Sequence, residues 1–399
     1  MRRFLPYGKQ SISEAEVDAV VECLRSDFLT CGPRVDAFEE AFAAHVGAKY
    51  AVAVSSATAA LHLAMKVVDI GPGNRVVTSP NTFLASANCA AYVGATPDFS
   101  DIDQLSYNMD PAVLAAGWKD DTKAVVAVDY AGQSCDMPGI AKVARGRGAV
   151  VIEDASHATG GAFLYQGECW KIGGHPWADL TTFSFHPVKT MTTGEGGILV
   201  TDNPEYAARA RLLRSHGMVR EPGGFVGLGD EDNLSLSEKG SWYYEMSELG
   251  FNYRITDLQC ALGLTQLERI DQFIARRREI VEQYNESFAD CPFVVSPAVK
   301  PEDKKLTSWH LYTLQIDFGS IRKTRTQVME ELREQGVGTQ VLYIPVHLQP
   351  YYRNHYGYGT GKCPNAENFY ERALSIPLFP KLTTEDVESV VTAVLDLAS

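Results

Sequence analysis

Apolar positions recur along this chain with two periods, and the alternation between them predicts its architecture. In SISEAEVDAVVECLRS, Val17, Val20, Val21 and Leu24 fall at helical spacing. Ser13 is placed to cap that helix, and Glu16 stands three residues on to complete a capping box. RVDAFEEAFAAHVG predicts a second helix, ended by Gly47. A different rhythm begins at residue 50. The run YAVAV (50–54) leads into the helical pattern ATAALHLAMKVV, and RVVTS (75–79) leads into FLASANCAAYV. KAVVAVDY (123–130) leads into MPGIAKVARGRG, and AVVIEDA (149–155) follows. Alternation of this kind predicts an α/β fold whose mostly parallel sheet is covered by helices on both faces.

Further along, LTTFSF and GILVTD predict strands on either side of SFHPVKTMTTGEGG (184–197). Helices are predicted over PEYAARARLLRSHG, TDLQCALGLTQLERI, DQFIARRREIVEQYNESFA and TTEDVESVVTAVLDL, and strands near 310–316 and 339–344. Residues 221–247, rich in glycine, serine and acids, read as a long loop. The change of pattern places a large α/β domain over 1–265 and a small C-terminal α+β domain over 266–399.

Composition narrows the function classes. At 45% apolar and 22% charged, the 399 residues read as an ordinary globular protein. A net charge of −14 without a basic run argues against a nucleic-acid partner. MRRFLPYGKQ has two arginines but no apolar segment behind them, so no signal peptide is expected, and no apolar stretch is long enough to span a membrane. Eight cysteines without CxxC pairs suit free thiols in a reducing cytoplasm and give no metal-ligand spacing.

Parallel sheets bind ligands beyond the carboxyl ends of their strands. That rule directs attention to Ser55–Thr58, Ser79–Phe83, Asp129–Gln133 and Asp154–His157. Lys189, among glycines and threonines, could act as a Schiff-base nucleophile, or be a solvated surface cation. A pyridoxal phosphate site would also need a carboxylate for the pyridine nitrogen, a phosphate cradle and a group against the ring. Asp154 could supply the carboxylate, or be an ordinary strand-end turn residue. His157 could orient that aspartate or touch the cofactor, or be a loop histidine. Ser56, Ala57 and Thr58 open a helix whose free amides would attract a phosphate, or form a plain N-cap. Ser184 is a second phosphate candidate, and Phe83 could stack on the ring or belong to the core. Each signal is modest alone, but all of them fall at or beside strand ends.

The stretches SSATAALH, SPNTFLASAN, VDYAGQ, IEDASHATGG, SFHPVKTMTTGEGG, RSHGM, GFNYRITDLQCALG, HLY and QVLYIPVH make the chain resemble the sugar-nucleotide aminotransferases. These are pyridoxal-phosphate enzymes of fold type I, the aspartate-aminotransferase-like α/β fold. The likeness covers nearly the whole chain, and SFHPVKTMTTGEGG is its most specific part. Within the family, SFHPVK, RSHGM and YRITDLQCALGLTQL resemble most the C4 transaminases of the pseudaminic acid pathway.

The resemblance implies that Lys189 is the Schiff-base lysine, with His186 only its neighbour. Asp154 and His157 would complete the catalytic set. Asn252 would reach the cofactor phosphate of a partner subunit, so a homodimer with shared sites is implied. Tyr7, Asp27, Phe28, Leu29, Thr30, Gln340, Val341, Leu342 and Tyr343 would face the nucleotide sugar, together with Ala57, Ser184 and Asn252. The implied reaction moves the amino group of L-glutamate to the C4 ketone of a UDP-linked 4-keto-6-deoxy-N-acetylhexosamine. The cofactor would alternate between pyridoxal and pyridoxamine phosphate. The rivals are a dehydratase or a transaminase acting on another dTDP- or GDP-linked keto sugar at C3 or C4, a non-catalytic scaffold, and a Rossmann-type binder. Retention of a lysine at 189 favours transamination, and SSATAA stands where a Rossmann binder needs GxGxxG.

Overall fold

Fourteen strands carry the described part of the chain, in a computed structural model that describes residues 3–227 and 240–398. The central sheet contains β1 (Tyr50–Val54), β2 (Arg75–Thr78), β3 (Thr96–Phe99), β4 (Thr122–Val128) and β5 (Val150–Asp154). A hairpin of β6 (Ala162–Tyr165) and β7 (Glu168–Lys171) stands apart from it, and β8 (Leu180–Ser184) and β9 (Gly197–Thr201) complete it. Their order is β1-β9-β8-β5-β4-β2-β3, with β9 antiparallel to both neighbours and the other pairings parallel. All five residues of β8 and of β9 are buried, as expected of strands covered on both faces.

The two faces have separate cores. On one, Phe38 and Phe42 from the helix Pro33–Val46 meet Phe183 and Phe185, with ring centroids 5.0–5.4 Å apart. On the other, Leu61, Leu63 and Met65 from the helix Ala57–Val67 pack on Val52, Val54 and Leu199. Gly47 ends the first of these helices at φ +88°, a left-handed position that costs glycine little.

A second sheet, ordered β12 (Val294–Val295), β13 (Tyr312–Ile316), β14 (Ala373–Ile376), follows the short pair β10 (Met218–Val219) and β11 (Glu245–Met246). Helices Ile270–Phe288 and Thr384–Leu395 cover it around Ile280, Tyr284, Leu314, Ile316 and Val390. Leu5 enters this core from the other end of the chain: its amide donates to Gly336 O at 2.8 Å, and Gly338 N donates to its carbonyl at 2.7 Å. Leu378 N then donates to Tyr7 O at 3.0 Å, which fixes the backbone of Tyr7.

Two expectations need correction, and one strand of the central sheet was not foreseen. β3 reads TPDF, which hides a strand behind proline and aspartate; it sits at the sheet edge, where a missing ladder donor is tolerated. The strand expected at 339–344 is absent. Only Gln340 pairs, with Ser375 on β14, and the chain then leaves the sheet; the Tyr130 hydroxyl donates to the Leu342 carbonyl there. The loop expected over 221–247 is in part a ladder, because β10 pairs with β11; residues 228–239 lie outside the described residues. Among the described residues no helix is long and apolar enough to cross a membrane.

The capping box at Ser13 forms as predicted and also ties the N-terminal helix Glu14–Leu24 to the helix Asp257–Glu268. Buried Glu16 accepts from Arg269 at 2.6 Å and from Gln266 at 2.7 Å, besides the Ser13 amide at 2.8 Å. Burial alone would raise this carboxyl, but the Ser13 hydroxyl, which also donates to it, and these hydrogen bonds hold it down to about 2, from 4.5. Its folded value is depressed, so its stabilisation is full above 4.5 and is lost as pH falls toward about 2. Glu16→Gln should therefore cost about 2 kcal/mol at neutral pH in urea unfolding. The gap from wild type should narrow below pH 4.5 as Glu16 itself takes a proton.

Candidate active site

Parallel packing turns the carboxyl ends of β1, β2, β4, β5 and β8 to one edge of the sheet, and a cavity of about 380 Å³ opens there. Ser56 follows β1 and caps the helix Ala57–Val67, accepting from Ala59 N at 3.1 Å. The first amides of that helix, at Ala57 and Thr58, have no acceptor within the helix and lie at the cavity wall. Gly197, the first residue of β9, closes against them: a Cβ there would come within 2.4 Å of Ala57 N. Only a glycine lets the two strands and the helix end meet so closely.

Asp154 is the last residue of β5 and is 4% exposed. Its Oδ2 accepts from Ser86 Oγ at 2.6 Å and its Oδ1 from Ser156 N at 3.1 Å. Lys189 sits in the turn between β8 and β9. That turn is tied by Phe185 N to Gly196 O at 2.9 Å, Thr193 N to Phe185 O at 3.0 Å and Lys189 N to His186 O at 2.9 Å. Burial lowers the Lys189 ammonium to about 8, and the Asp154 carboxylate pulls against that fall.

His157 does not hydrogen-bond Asp154. Its Nδ1 accepts from Ala131 N at 3.2 Å, so its proton is on Nε2 and is donated to the Tyr343 hydroxyl at 3.0 Å. Burial, with the Lys189 charge second, holds its imidazole well below the ordinary value, in keeping with a neutral ring. The Tyr343 phenol is pushed up by burial, and its ring lies over His157 with centroids 5.9 Å apart. Phe83, 56% exposed, faces Tyr343 at 6.1 Å from the cavity mouth.

Of the residues singled out in the sequence, the cavity gathers Tyr7, Ser56, Ala57, Thr58, Phe83, Asp154, His157, Ser184, Lys189, Leu342 and Tyr343. His186 lines it as an exposed neighbour. Seven others lie elsewhere in this chain. Asp27, Phe28, Leu29 and Thr30 are exposed, with Thr30 bridged to Thr256. Asn252 is exposed and bridged to Ser215. Gln340 is exposed, with its backbone paired to Ser375, and Val341 follows it outside the lining. Sequence reasoning missed Glu195 and Val188 in the lining and Ser86 and Ser156 on Asp154. Ser86 had one signal: it falls just after the strand-end stretch SPNTF.

The residues present fit pyridoxal phosphate. A lysine amine and a carboxylate share one cavity with a helix N-terminus whose close approach any Cβ at 197 would block.

Comparison with known proteins gives the same direction. Residues 10–395 match the DegT/DnrJ/EryC1/StrS aminotransferase family. The chain is 44% identical over 395 residues to the spore coat polysaccharide biosynthesis protein SpsC of Bacillus subtilis, covering 99% of this chain and 97% of that one. It superposes on Helicobacter pylori PseC, an aminotransferase involved in the biosynthesis of pseudaminic acid, with a TM-score of 0.87, 30% identity and 99% of each chain covered. The putative sugar aminotransferase Spr1654 of Streptococcus pneumoniae, in its PMP-form, matches with a TM-score of 0.87 and 29% identity, again over 99% of each chain. The chain belongs to the DegT/DnrJ/EryC1/StrS aminotransferase family, its fold is that of the fold type I pyridoxal-phosphate enzymes, and its cofactor is pyridoxal phosphate.

A lysine lowered to about 8 is a better nucleophile at neutral pH than one at 10.5. The rate at which apoprotein captures pyridoxal phosphate, followed by its visible absorbance, should climb with pH to about 8 and then level. A rate still climbing at pH 10 would return Lys189 to an ordinary value.

Proposed function

From that membership we propose that this protein transfers the amino group of L-glutamate to the C4 ketone of a UDP-linked 4-keto-6-deoxy-N-acetylhexosamine, giving the UDP-4-amino sugar and 2-oxoglutarate. The observation that carries the reading is the meeting of Lys189 and Asp154 in one cavity beside a free helix N-terminus. The likeness to PseC over 99% of both chains supports the choice of acceptor.

Pyridoxal phosphate supplies an aldehyde for a lysine amine and a ring that withdraws electrons from the donor carbon. Lys189 Nζ would hold its aldehyde, and as a free amine would accept the Cα proton of the donor and return a proton on the acceptor side. Asp154 would pair with the ring nitrogen and balance its positive charge. The amides of Ala57 and Thr58, with the hydroxyls of Thr58 and Ser184, would hold the phosphate. Tyr343, kept in place by His157, and Tyr7 line the side from which substrate enters.

The sites are shared between two subunits of a cytoplasmic homodimer in this reading. What supports sharing is the placement of Asn252 and of Asp27–Thr30, exposed and outside their own chain's cavity. They contact phosphate and nucleotide sugar across the interface, and Gln340 and Val341 approach the sugar from beside Tyr343.

A second acceptor has an observation in its favour. The 44% identity to SpsC, a protein of spore coat polysaccharide biosynthesis, suits another nucleotide-linked keto sugar, on dTDP or GDP and at C3 or C4.

Incubation with L-glutamate and a panel of UDP-, dTDP- and GDP-linked 3- and 4-keto sugars, with products identified by mass and NMR, separates the two. The UDP-4-keto-N-acetyl sugar should give the best kcat/KM. Asp154→Asn should keep fold and cofactor and lose roughly a hundredfold or more in turnover; a near-normal rate would remove Asp154 from its assigned role.

Sharing of sites has its own test. Co-expressed Lys189→Ala and Asn252→Ala chains, purified as heterodimers through two affinity tags, contain one site with both residues intact. Activity should rise above either parent, toward half of wild type. No gain, with Asn252→Ala alone impaired, would place Asn252 in its own chain's site.

A further inference from the structure

Asp154 is held by the Ser86 hydroxyl, which is backed in turn by Thr82 of the cavity lining, and the proposed reaction uses neither. Ser86, on the helix Ala85–Tyr92, donates its proton to Asp154 Oδ2 at 2.6 Å. A serine has one hydroxyl proton, so the 2.7 Å contact between Thr82 Oγ1 and Ser86 Oγ must run the other way, with Thr82 donating. The relay is therefore directional: Thr82 to Ser86 to Asp154. All three groups are buried, at 3%, 1% and 4% exposure. On its other oxygen Asp154 accepts the Ser156 amide, at 3.1 Å, from a turn position two residues on. A carboxylate gripped at one oxygen by a single turn amide is free to rotate about χ2; the second grip fixes its plane.

We propose that Ser86 is a positioning residue for the cofactor: with Thr82 behind it, it fixes the plane of the Asp154 carboxylate so that one lone pair faces the ring nitrogen. This rests on the reading of the site as a pyridoxal phosphate site. Ser86 lies behind the carboxylate and acts only through it. Thr82 orients Ser86 by occupying its acceptor side, which leaves the serine proton no other direction than Asp154.

Loss of the relay has a signature distinct from general destabilisation. When Asp154 holds the ring nitrogen positive, that charge repels a proton on the nitrogen joining Lys189 to the cofactor. A loosened Asp154 weakens the repulsion, so that nitrogen keeps its proton to higher pH. The pH midpoint of the visible absorbance change reads this directly in reconstituted enzyme.

Ser86→Ala should weaken pyridoxal phosphate binding to apoprotein roughly tenfold and move that midpoint upward, with the melting temperature of the apoprotein little changed. Thr82→Val, which keeps shape but not the donor, should move both in the same direction by less. Thr82→Ser, which keeps the hydroxyl, should restore them. Should Ser86→Ala fail to fold, the Thr82 pair decides alone. Variants whose binding and midpoint match wild type, in a wild type that is yellow, overturn the role of Ser86 and leave the cofactor reading intact. A wild type that binds no pyridoxal phosphate overturns both.

Discussion

Five strands pointing the same way determine where every candidate group can be. β1, β2, β4, β5 and β8 end on one edge, so the residues just past them meet although together they span more than a hundred positions of the chain. β9, reversed, begins at that edge, which lets the connection from β8, residues 185–196, hold Lys189 in the same cavity as Asp154. The burial that lowers the Lys189 ammonium follows from the same packing, since the turn is pinned between two fully buried strands. A charge placed there would be costly without the Asp154 carboxylate, and a carboxylate alone would be costly without its donors. The cavity is thus a set of mutual compensations.

Neighbouring acids on β5 show how strictly the pleat sorts them. Asp154 faces the cavity, whereas Glu153, one residue earlier, points to the opposite face. There it accepts from Thr181 at 2.9 Å and meets His175 Nε2 at 2.9 Å, outside the cavity. Two carboxylates in sequence therefore have two unrelated environments.

Much of this was legible in the chain. The β1, β2, β4, β5 and β9 patterns are built on short apolar runs, β8 mixes apolar residues with threonine, and the Ser13–Glu16 box carries its own signature. What escaped reading has local causes. β3 is short and at an edge, so it tolerates residues that a central strand would refuse. QVLYIPVH is apolar enough for a strand, but its side chains serve a cavity instead of a ladder. Ser86 resembles any serine near a helix start until Asp154, 68 residues later, is placed against it. Asp27–Thr30 and Asn252 could be singled out only by resemblance, because nothing in their own periodicity or in the geometry of one chain brings them to the cavity.

The threading of Leu5 has a consequence for how the protein is made. Its partners, Gly336 and Gly338, and the Leu378 amide that holds Tyr7, are synthesised more than three hundred residues later. The central sheet can collapse on the ribosome once β9 has emerged, since its strands all precede residue 202. One wall of the cavity cannot. Until the last small-sheet strand is released, Tyr7 has no backbone partner there, and the apolar Leu5 has no core to enter. Closure of the pocket is therefore among the last events of folding, a long-range contact that nascent chains must wait for.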